Sequence, residues 1–508
     1  MDSGSSGGAE VDLPRPSRGE PYRPSGGDGG LRAKIGLEIH VQMTEAGSKL
    51  FCNCKANYRG MEPNTNVCPV CIGLPGALPV VNRKSVELAL AASLAFSCST
   101  PEYIVFTRKH YFYPDLPKNY QISMYERAGG VPICRGGRVR YLDIHAWEWK
   151  ECRLRRINIE EDPGKTVYGE GGILRSAEAY VDYNRSGVPL LEIITEPDLG
   201  SAREARQLVE YVLLVLEYLG VTNPRLEGAF RVDANVSVEG GERVEVKNIG
   251  STLDVERAIN YEIMRQSAIL SSGGKVERET RHWDAERGST RPLRQKEQEE
   301  DYLYFPDPDL PPIFLREMVD RARSLAALND PSALFAQVVE LGVSKEMAWS
   351  LVTTRPALEL FLQSVKRGAD PQLSARLIAV DYKGELREKN RDPYDPSSWP
   401  ATEYVTELVR LVKEGVYTYD AVKGIVLPKL AENPMVDLKS VLPQRAENLD
   451  SIIDEVLKRE ERAVKDYLSG KAQAMNYLVG AVIKATGKKA LDPRAIREAI
   501  EKRLGRGS

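Results

Sequence analysis

Strict alternation of apolar and polar positions recurs along the first three hundred residues and predicts β-strands with one buried face. In "IGLEIHVQ" (35–42), Leu37, Ile39 and Val41 point one way and Glu38, His40 and Gln42 the other. "RINIEEDPGK" (156–165) sets Asn158 and Glu160 against Ile157 and Ile159. "RVDANVSV" (231–238) sets Asp233, Asn235 and Ser237 against Val232, Ala234 and Val236, and "RVEVKN" (243–248) sets Glu245 and Lys247 against Val244 and Val246. Two stretches break the pattern with a helical period, "SVELALAASLAF" (85–96) and "SAREARQLVEYVLLVLEYLG" (201–220). The four prolines of "YFPDPDLPPI" (304–313) predict a linker, after which the period is helical throughout. "DPSALFAQVVELG" (330–342) carries Asp330 as N-cap, Pro331 at the first helical position and Gly342 just past the end. "RDPYDPSSWP" (391–400) reads as a loop within this helical half.

The expected class is therefore α+β, a sheet-rich domain followed by all-α regions. A chain of 508 residues exceeds one ordinary core. Residues 1–30, rich in Gly, Ser and Pro without any hydrophobic period, predict a disordered tail. The net charge of -3 argues against a globally cationic nucleic-acid binder. A local exception is Lys471 to Arg506, where nine Lys or Arg face three Asp or Glu. Neither a membrane-crossing apolar run nor a signal peptide is legible, so the expected location is the cytoplasm.

In that compartment thiols stay reduced, and Cys98, Cys134 and Cys152 are expected to be small buried side chains. The other four cysteines differ. "KLFCNCKANYRGMEPNTNVCPVC" (49–71) gives C-x-C, thirteen residues, then C-x-x-C. Two short thiolate pairs across a turn-rich loop can converge on one tetrahedral ion, and no His lies in the stretch. The pattern predicts a closed four-thiolate zinc site of structural purpose, with a redox pair at Cys68 and Cys71 as the weaker alternative.

On the four alternating strands the polar positions are dominated by short oxygen-bearing side chains rather than a random mix of Lys, Arg, Thr and Gln. Solvent exposure explains any one such strand, but the set suits oxygen ligation of a hard cation such as Mg²⁺. "RKHYFYPDLPKNYQIS" (108–123) adds basic and aromatic residues suited to phosphate contacts or to a packed turn. "PGKT" (163–166) resembles the end of a Walker motif, but Ile159 stands where its first Gly belongs, and no G-x-G-x-x-G occurs. None of the four histidines has a nucleophile-elbow partner.

Together with "VDYNRSGVPLLEI", "DANVSV", "VEVKN", "YFPDPDLPP" and "GKAQAMNYLVGAVIKATGKKALDP", these motifs give the chain a close resemblance to the B subunits of the aspartyl/glutamyl-tRNA(Asn/Gln) amidotransferases, from about residue 34 onward. The related archaeal E subunits are disfavoured, because no room exists after Pro312 for their synthetase-like insertion. The resemblance implies a cradle-shaped domain at 31–312, a helical domain at 313–428 and a small tRNA-binding tail domain at 429–508. It implies an ATP-dependent ligase that phosphorylates the side-chain carboxylate of Glu-tRNA(Gln) or Asp-tRNA(Asn). Ammonia delivered by the glutaminase (A) subunit then displaces the phosphate, within a heterotrimer completed by a third (C) subunit. By matching motifs, Mg²⁺ and catalysis fall on Glu38, His40, Glu160, Asp233 and Glu245, and Zn²⁺ on Cys52, Cys54, Cys68 and Cys71. Lys118, Arg185 and Lys247 are the candidates for ATP phosphate contacts. The rival expectations are a non-catalytic tRNA-binding scaffold and a metal-dependent hydrolase unrelated to tRNA.

Overall fold

The structure, a computed structural model, describes residues 32–169, 178–293, 302–442, 449–485 and 493–504. The tail expected over 1–30 lies outside these residues, as does part of the basic C-terminal stretch. The alternating segments form one nine-stranded sheet. Its strands are β1 (Ala33–Gln42), β2 (Cys134–Arg135), β3 (Arg138–Asp143), β4 (Glu148–Glu161), β5 (Pro189–Thr195), β6 (Phe230–Val238), β7 (Val244–Ile249), β8 (Glu279–Asp284) and β9 (Ser289–Pro292). Their order is β9-β8-β7-β6-β1-β5-β4-β2, with β3 paired to β4. Every pairing is antiparallel except that of β7 with β8.

The helical periods form α1 (Arg83–Ala95), α2 (Ala202–Tyr218) and α3 (Thr252–Ser271). Each starts at a side-chain cap, from Asn82, Ser201 and Ser251 respectively. They share one core with the apolar strand positions, where Ile39, Val41, Ile157, Ile159, Ile193, Val232 and Val246 are fully buried with Leu90, Leu208 and Ile259. Each such side chain contributes about 1.5–3 kcal/mol through burial. The alternate positions are thereby confined to the opposite face.

Two irregularities shape that face. Between β6 and β7 the register shifts between Val232 and Ala234, and Asn248 adopts a left-handed φ of 65°. Between β5 and β4, Ile194 opposes Arg156 whereas Thr195 opposes Leu154, so Arg155 is the extra residue of a bulge.

The proline-rich stretch is no free linker. Phe305–Pro306 pairs with Thr107–His110, Ile313–Phe314 pairs with Tyr103–Ile104, and buried Asp307 accepts from Arg108 Nε at 2.9 Å. The first core continues to Ala322 in α4 (Val319–Leu328). Proline removes backbone donors but leaves short edge pairing open, and the sequence pattern does not distinguish the two outcomes. A second correction concerns Cys98 and Cys134, which form a disulfide across a sequence separation of 36. The Ser99–Arg135 bridge beside them aligns the two segments.

A second core, of helices from Pro331 to Val441, takes in Leu142, Leu214 and Tyr218 from the sheet domain. Tyr218 Oη donates to Val352 O at 2.7 Å, so the two regions are packed against each other. Pro331–Glu340 begins at Asp330 as its pattern requires. A third, smaller core contains Ile453, Val456, Met475, Leu478, Val482, Ile496 and Ile500. Among the described residues no helix is long and apolar enough to cross a membrane.

Candidate active site and metal centre

The face opposite the helices gathers ionisable groups from five adjacent strands, β7, β6, β1, β5 and β4. Register explains the gathering: Glu38 lies opposite Asp233, His40 lies between Arg231 and Glu192, Glu192 lies opposite Asn158, and Glu160 lies opposite Leu190. Glu38, His40 and Asp233 each offer a ligand atom within 4.8 Å of the others, and so do His40, Glu160 and Glu192. His40 belongs to both groups.

His40 Nε2 stands 3.3 Å from Glu38 Oε1 and 3.7 Å from Glu192 Oε1, while buried Nδ1 has no hydrogen-bond partner. Burial disfavours the imidazolium, but the hydrogen bond with Glu192 and the charges of Glu38 and Glu192 outweigh it and raise the His40 pKa. Burial and the neighbouring Glu192 charge push Glu38 up to about 7. Burial acts the same way on Glu160, whose carboxylate accepts from Ser123 Oγ and from Gln121 Nε2. Asp233 and Glu192 run against their burial. Lys247 and His40 hold Asp233 down, while His40, Glu38 and Asn158 hold Glu192 down, the last donating at 2.6 Å.

The bulge beside Asp233 has a use here. Asn248 N donates to Asp233 Oδ1 at 3.0 Å, and Lys247 Nζ reaches both Asp233 Oδ2 and Glu245 Oε1 at 2.8 Å. Glu245 therefore stands outside both groups, held by Lys247 and by Thr280 Oγ1. The other expected cations are also engaged. Lys118 pairs with Glu161, and Arg185 donates to the carbonyls of Pro163 and Gly164 at 2.9 and 2.7 Å. Lys109 is the basic-loop residue that faces the site. Its burial favours the neutral amine, but Glu160 and its neighbours keep it charged, and its Nζ lies 4.8 Å from the Tyr302 ring centre.

Glu192 is the ligand-type residue that alternation alone does not single out. Its signal is the lone charge in "GVPLLEIIT", on the face shared with Leu190 and Ile194.

Cys52, Cys54, Cys68 and Cys71 also come together, with their sulfurs within 4.8 Å of one another. Tetrahedral Zn²⁺ with Zn–S bonds of ~2.3 Å requires sulfurs ~3.8 Å apart, so the donor set fits the ion. Fully buried Lys49 is a further residue that the sequence pattern does not flag; its Nζ donates to Asn66 O at 2.8 Å and lies 3.5 Å from Cys71 Sγ. The hydrogen bond from Cys52, with Lys49 nearby, lowers the Cys71 pKa to about 4 against its burial.

The clip is tied to the sheet domain. Asn66 N donates to Asn184 Oδ1 at 2.7 Å and Ser186 Oγ to Cys71 O at 3.0 Å. A Cβ on Gly73, at φ +70°, would lie 2.7 Å from Lys118 Cγ. The clip thus presses on the lysine that holds Glu161, next to Glu160.

The family model described as GatB/GatE catalytic domain matches residues 33–320, and that described as GatB domain matches 359–504. The chain is 61% identical to the B subunit of an aspartyl/glutamyl-tRNA(Asn/Gln) amidotransferase of Aeropyrum pernix, covering 93% of this chain and 97% of that protein. Its identity to proteins of the same description is 44% in Sulfurisphaera tokodaii (93% and 99% covered) and 40% in Methanococcoides burtonii (92% and 97%). A sheet whose polar face collects carboxylates around one histidine, a four-cysteine clip and these matches lead to one conclusion: the chain belongs to the family of aspartyl/glutamyl-tRNA(Asn/Gln) amidotransferase B subunits.

Proposed function

We propose that this chain amidates the side chain of Glu-tRNA(Gln), Asp-tRNA(Asn) or both, as a carbon–nitrogen ligase drawing its nitrogen from glutamine. A carboxylate resists attack by ammonia because oxide is a poor leaving group, and phosphorylation by ATP supplies a better one. The phosphoryl group moves from ATP to the side-chain oxygen, and ammonia then displaces phosphate with loss of a proton. Phosphoryl transfer needs positioning and charge neutralisation more than covalent help. Mg²⁺ held by Glu38, His40, Asp233, Glu160 and Glu192 would neutralise triphosphate charge. The convergence of these five residues from four strands, with His40 common to two groups, carries the reading. The oxygen-rich donor set supports a hard cation.

Within this reading Lys247 orients Asp233, Glu245 orients Lys247, and Asn158 and Ser123 fix Glu192 and Glu160. Lys109 is the cation available to ATP or to the substrate carboxylate. Arg185 serves the backbone of the Pro163–Gly164 turn, and Lys118 holds Glu161. The cysteine clip takes structural Zn²⁺, the A and C subunits of the amidotransferase are the protein partners, and the C-terminal tail built on the third core, from Ile453 to Ile500, contacts tRNA. The test is ATP-dependent amidation of Glu-tRNA(Gln) by the assembled complex with Asp233→Asn. Loss of amidation with glutaminase activity retained supports the assignment; full amidation refutes it and favours a scaffold.

A further inference from the structure

The same sheet face continues beyond Asn158 to a cationic cavity that the chemistry above does not use. It has a volume of about 210 Å³ and is lined by Tyr125, Glu126, Arg127, Arg155 and Arg156. Consecutive strand residues normally point to opposite faces. Here the bulge at Arg155 lets both guanidinium groups line one cavity.

Arg155 is bidentate to Glu196 at 3.1 and 3.0 Å, and Glu126 accepts from Arg135 Nε at 2.7 Å. Arg156 reaches Glu126 only at 3.9 Å, and its buried Nε has no hydrogen-bond acceptor. Among the described residues Arg135 and Arg155 are each matched by a glutamate, and Arg156 is the guanidinium with a donor left over. Such a guanidinium cluster, with donor capacity to spare at Arg156, suits a phosphodiester oxygen.

Aromatic rings join the cavity to the carboxylates. Tyr125 stacks on Tyr304 with ring centres 4.1 Å apart and planes 23° apart. Tyr304 packs edge-on against Tyr302 with ring centres 6.0 Å apart, and the Tyr302 ring lies 4.8 Å from Lys109 Nζ at the active-site face. The turn at Gly130 fixes Tyr125, since a Cβ there would lie 2.6 Å from Tyr125 N. Cations beside a stacked aromatic pair form the surface that single-stranded RNA ends use, backbone on charge and base on ring.

The spacing agrees. Arg156 and Glu160 lie on one face four residues apart, about 13 Å along the strand. From the side-chain carboxyl carbon of an esterified glutamate to the 5′ phosphate of its nucleotide is about ten bonds, roughly 12 Å when extended.

We infer that Arg156, with Arg127 and the Tyr125–Tyr304 stack, binds the phosphate and base of the terminal nucleotide that carries the amino acid, and so sets how far the side-chain carboxylate reaches toward Glu160. This rests on the amidotransferase reading. Arg156 is a positioning residue that touches the RNA and not the reacting carboxylate.

The test uses the assembled complex with ammonia as nitrogen donor and two substrates, glutamyl-tRNA(Gln) and the glutamyl ester of adenosine, which lacks the 5′ phosphate. Arg156→Ala should raise KM for the tRNA about tenfold, with kcat within about twofold, and lower the slope of log affinity against log salt by about 1. On the adenosine ester its KM effect should stay below about twofold, and Arg156→Lys should recover part of the loss on tRNA. Arg127→Ala should give a weaker form of the same pattern, and serves alone if Arg156→Ala fails to fold. Equal losses on both substrates, or unchanged KM and salt slope in every variant, overturn the inference. Failure of the wild-type complex to amidate either glutamyl- or aspartyl-tRNA would instead overturn the amidotransferase reading.

Discussion

The cysteine clip and the carboxylate face both collect ligating side chains, but they do it over different distances in the chain. The clip draws its four sulfurs from residues 52–71, whereas the face draws its donors from residues 38–233. A local loop can be held closed by its own ion, so its geometry depends on ligand chemistry. The face exists only when β1, β4, β5 and β6 pair in register, because a slip of one residue turns every donor into the helix-packed core. Loss of a ligand should therefore cost stability at the clip and chemistry at the face.

The largest expected effect is on chemistry. Asp233→Asn or Glu160→Gln should lower ATP-dependent amidation at least about 100-fold, with glutaminase activity of the complex and the melting temperature little changed. A large fall in melting temperature would make the face a structural network instead. At the clip the sign reverses. Cys68→Ser should reduce bound zinc from about one ion per chain to a small fraction and lower the melting temperature by several degrees. Protein that stays folded should keep most of its turnover. Elemental analysis beside calorimetry decides this, and full metal content would contradict the four-thiolate assignment.

A smaller effect is expected from Lys49→Met. Its ammonium offsets thiolate charge, and partners of this kind typically change metal affinity about 10–100-fold. Competition with a chelator reads this directly, and unchanged affinity would reduce Lys49 to a packing role.

The smallest effect concerns pH. Glu38 in the ion-free protein is raised to about 7, so the folded state binds its proton more tightly than the unfolded state does. This residue's contribution to stability is full below the unfolded carboxylate range and falls as pH rises to about 7. Glu38→Gln should therefore raise the melting temperature of ion-free protein more at pH 8 than at pH 5. The opposite ordering would show that Glu38 is stabilised as the anion.

The same contrast explains what is legible in the sequence. Period-two alternation places Glu38, His40, Asn158, Glu160 and Asp233 on polar faces, and the sheet does bring those faces together. Alternation says nothing about which strands are neighbours. Glu192 therefore reads only as part of a buried strand, although β5 lies between β1 and β4 and sets it opposite His40. Glu245 has the right period but sits on β7, where Lys247 intervenes. The clip is legible because its spacing is local. Its buried cation is not, since Lys49 becomes favourable only beside Cys71 and the carbonyl of Asn66. Cys98 and Cys134 are separated in sequence and joined by a single bridge at the sheet edge, a contact that no periodicity reports.

The central claim is a divalent ion among side chains drawn from separate strands. Anomalous diffraction from crystals of the full chain soaked with Mn²⁺ and a non-hydrolysable ATP analogue tests it most directly. The predicted result is a manganese peak bonded at about 2.1–2.3 Å to His40 and at least two of Glu38, Glu160, Glu192 and Asp233. Bound nucleotide with no manganese anywhere on that face would contradict it.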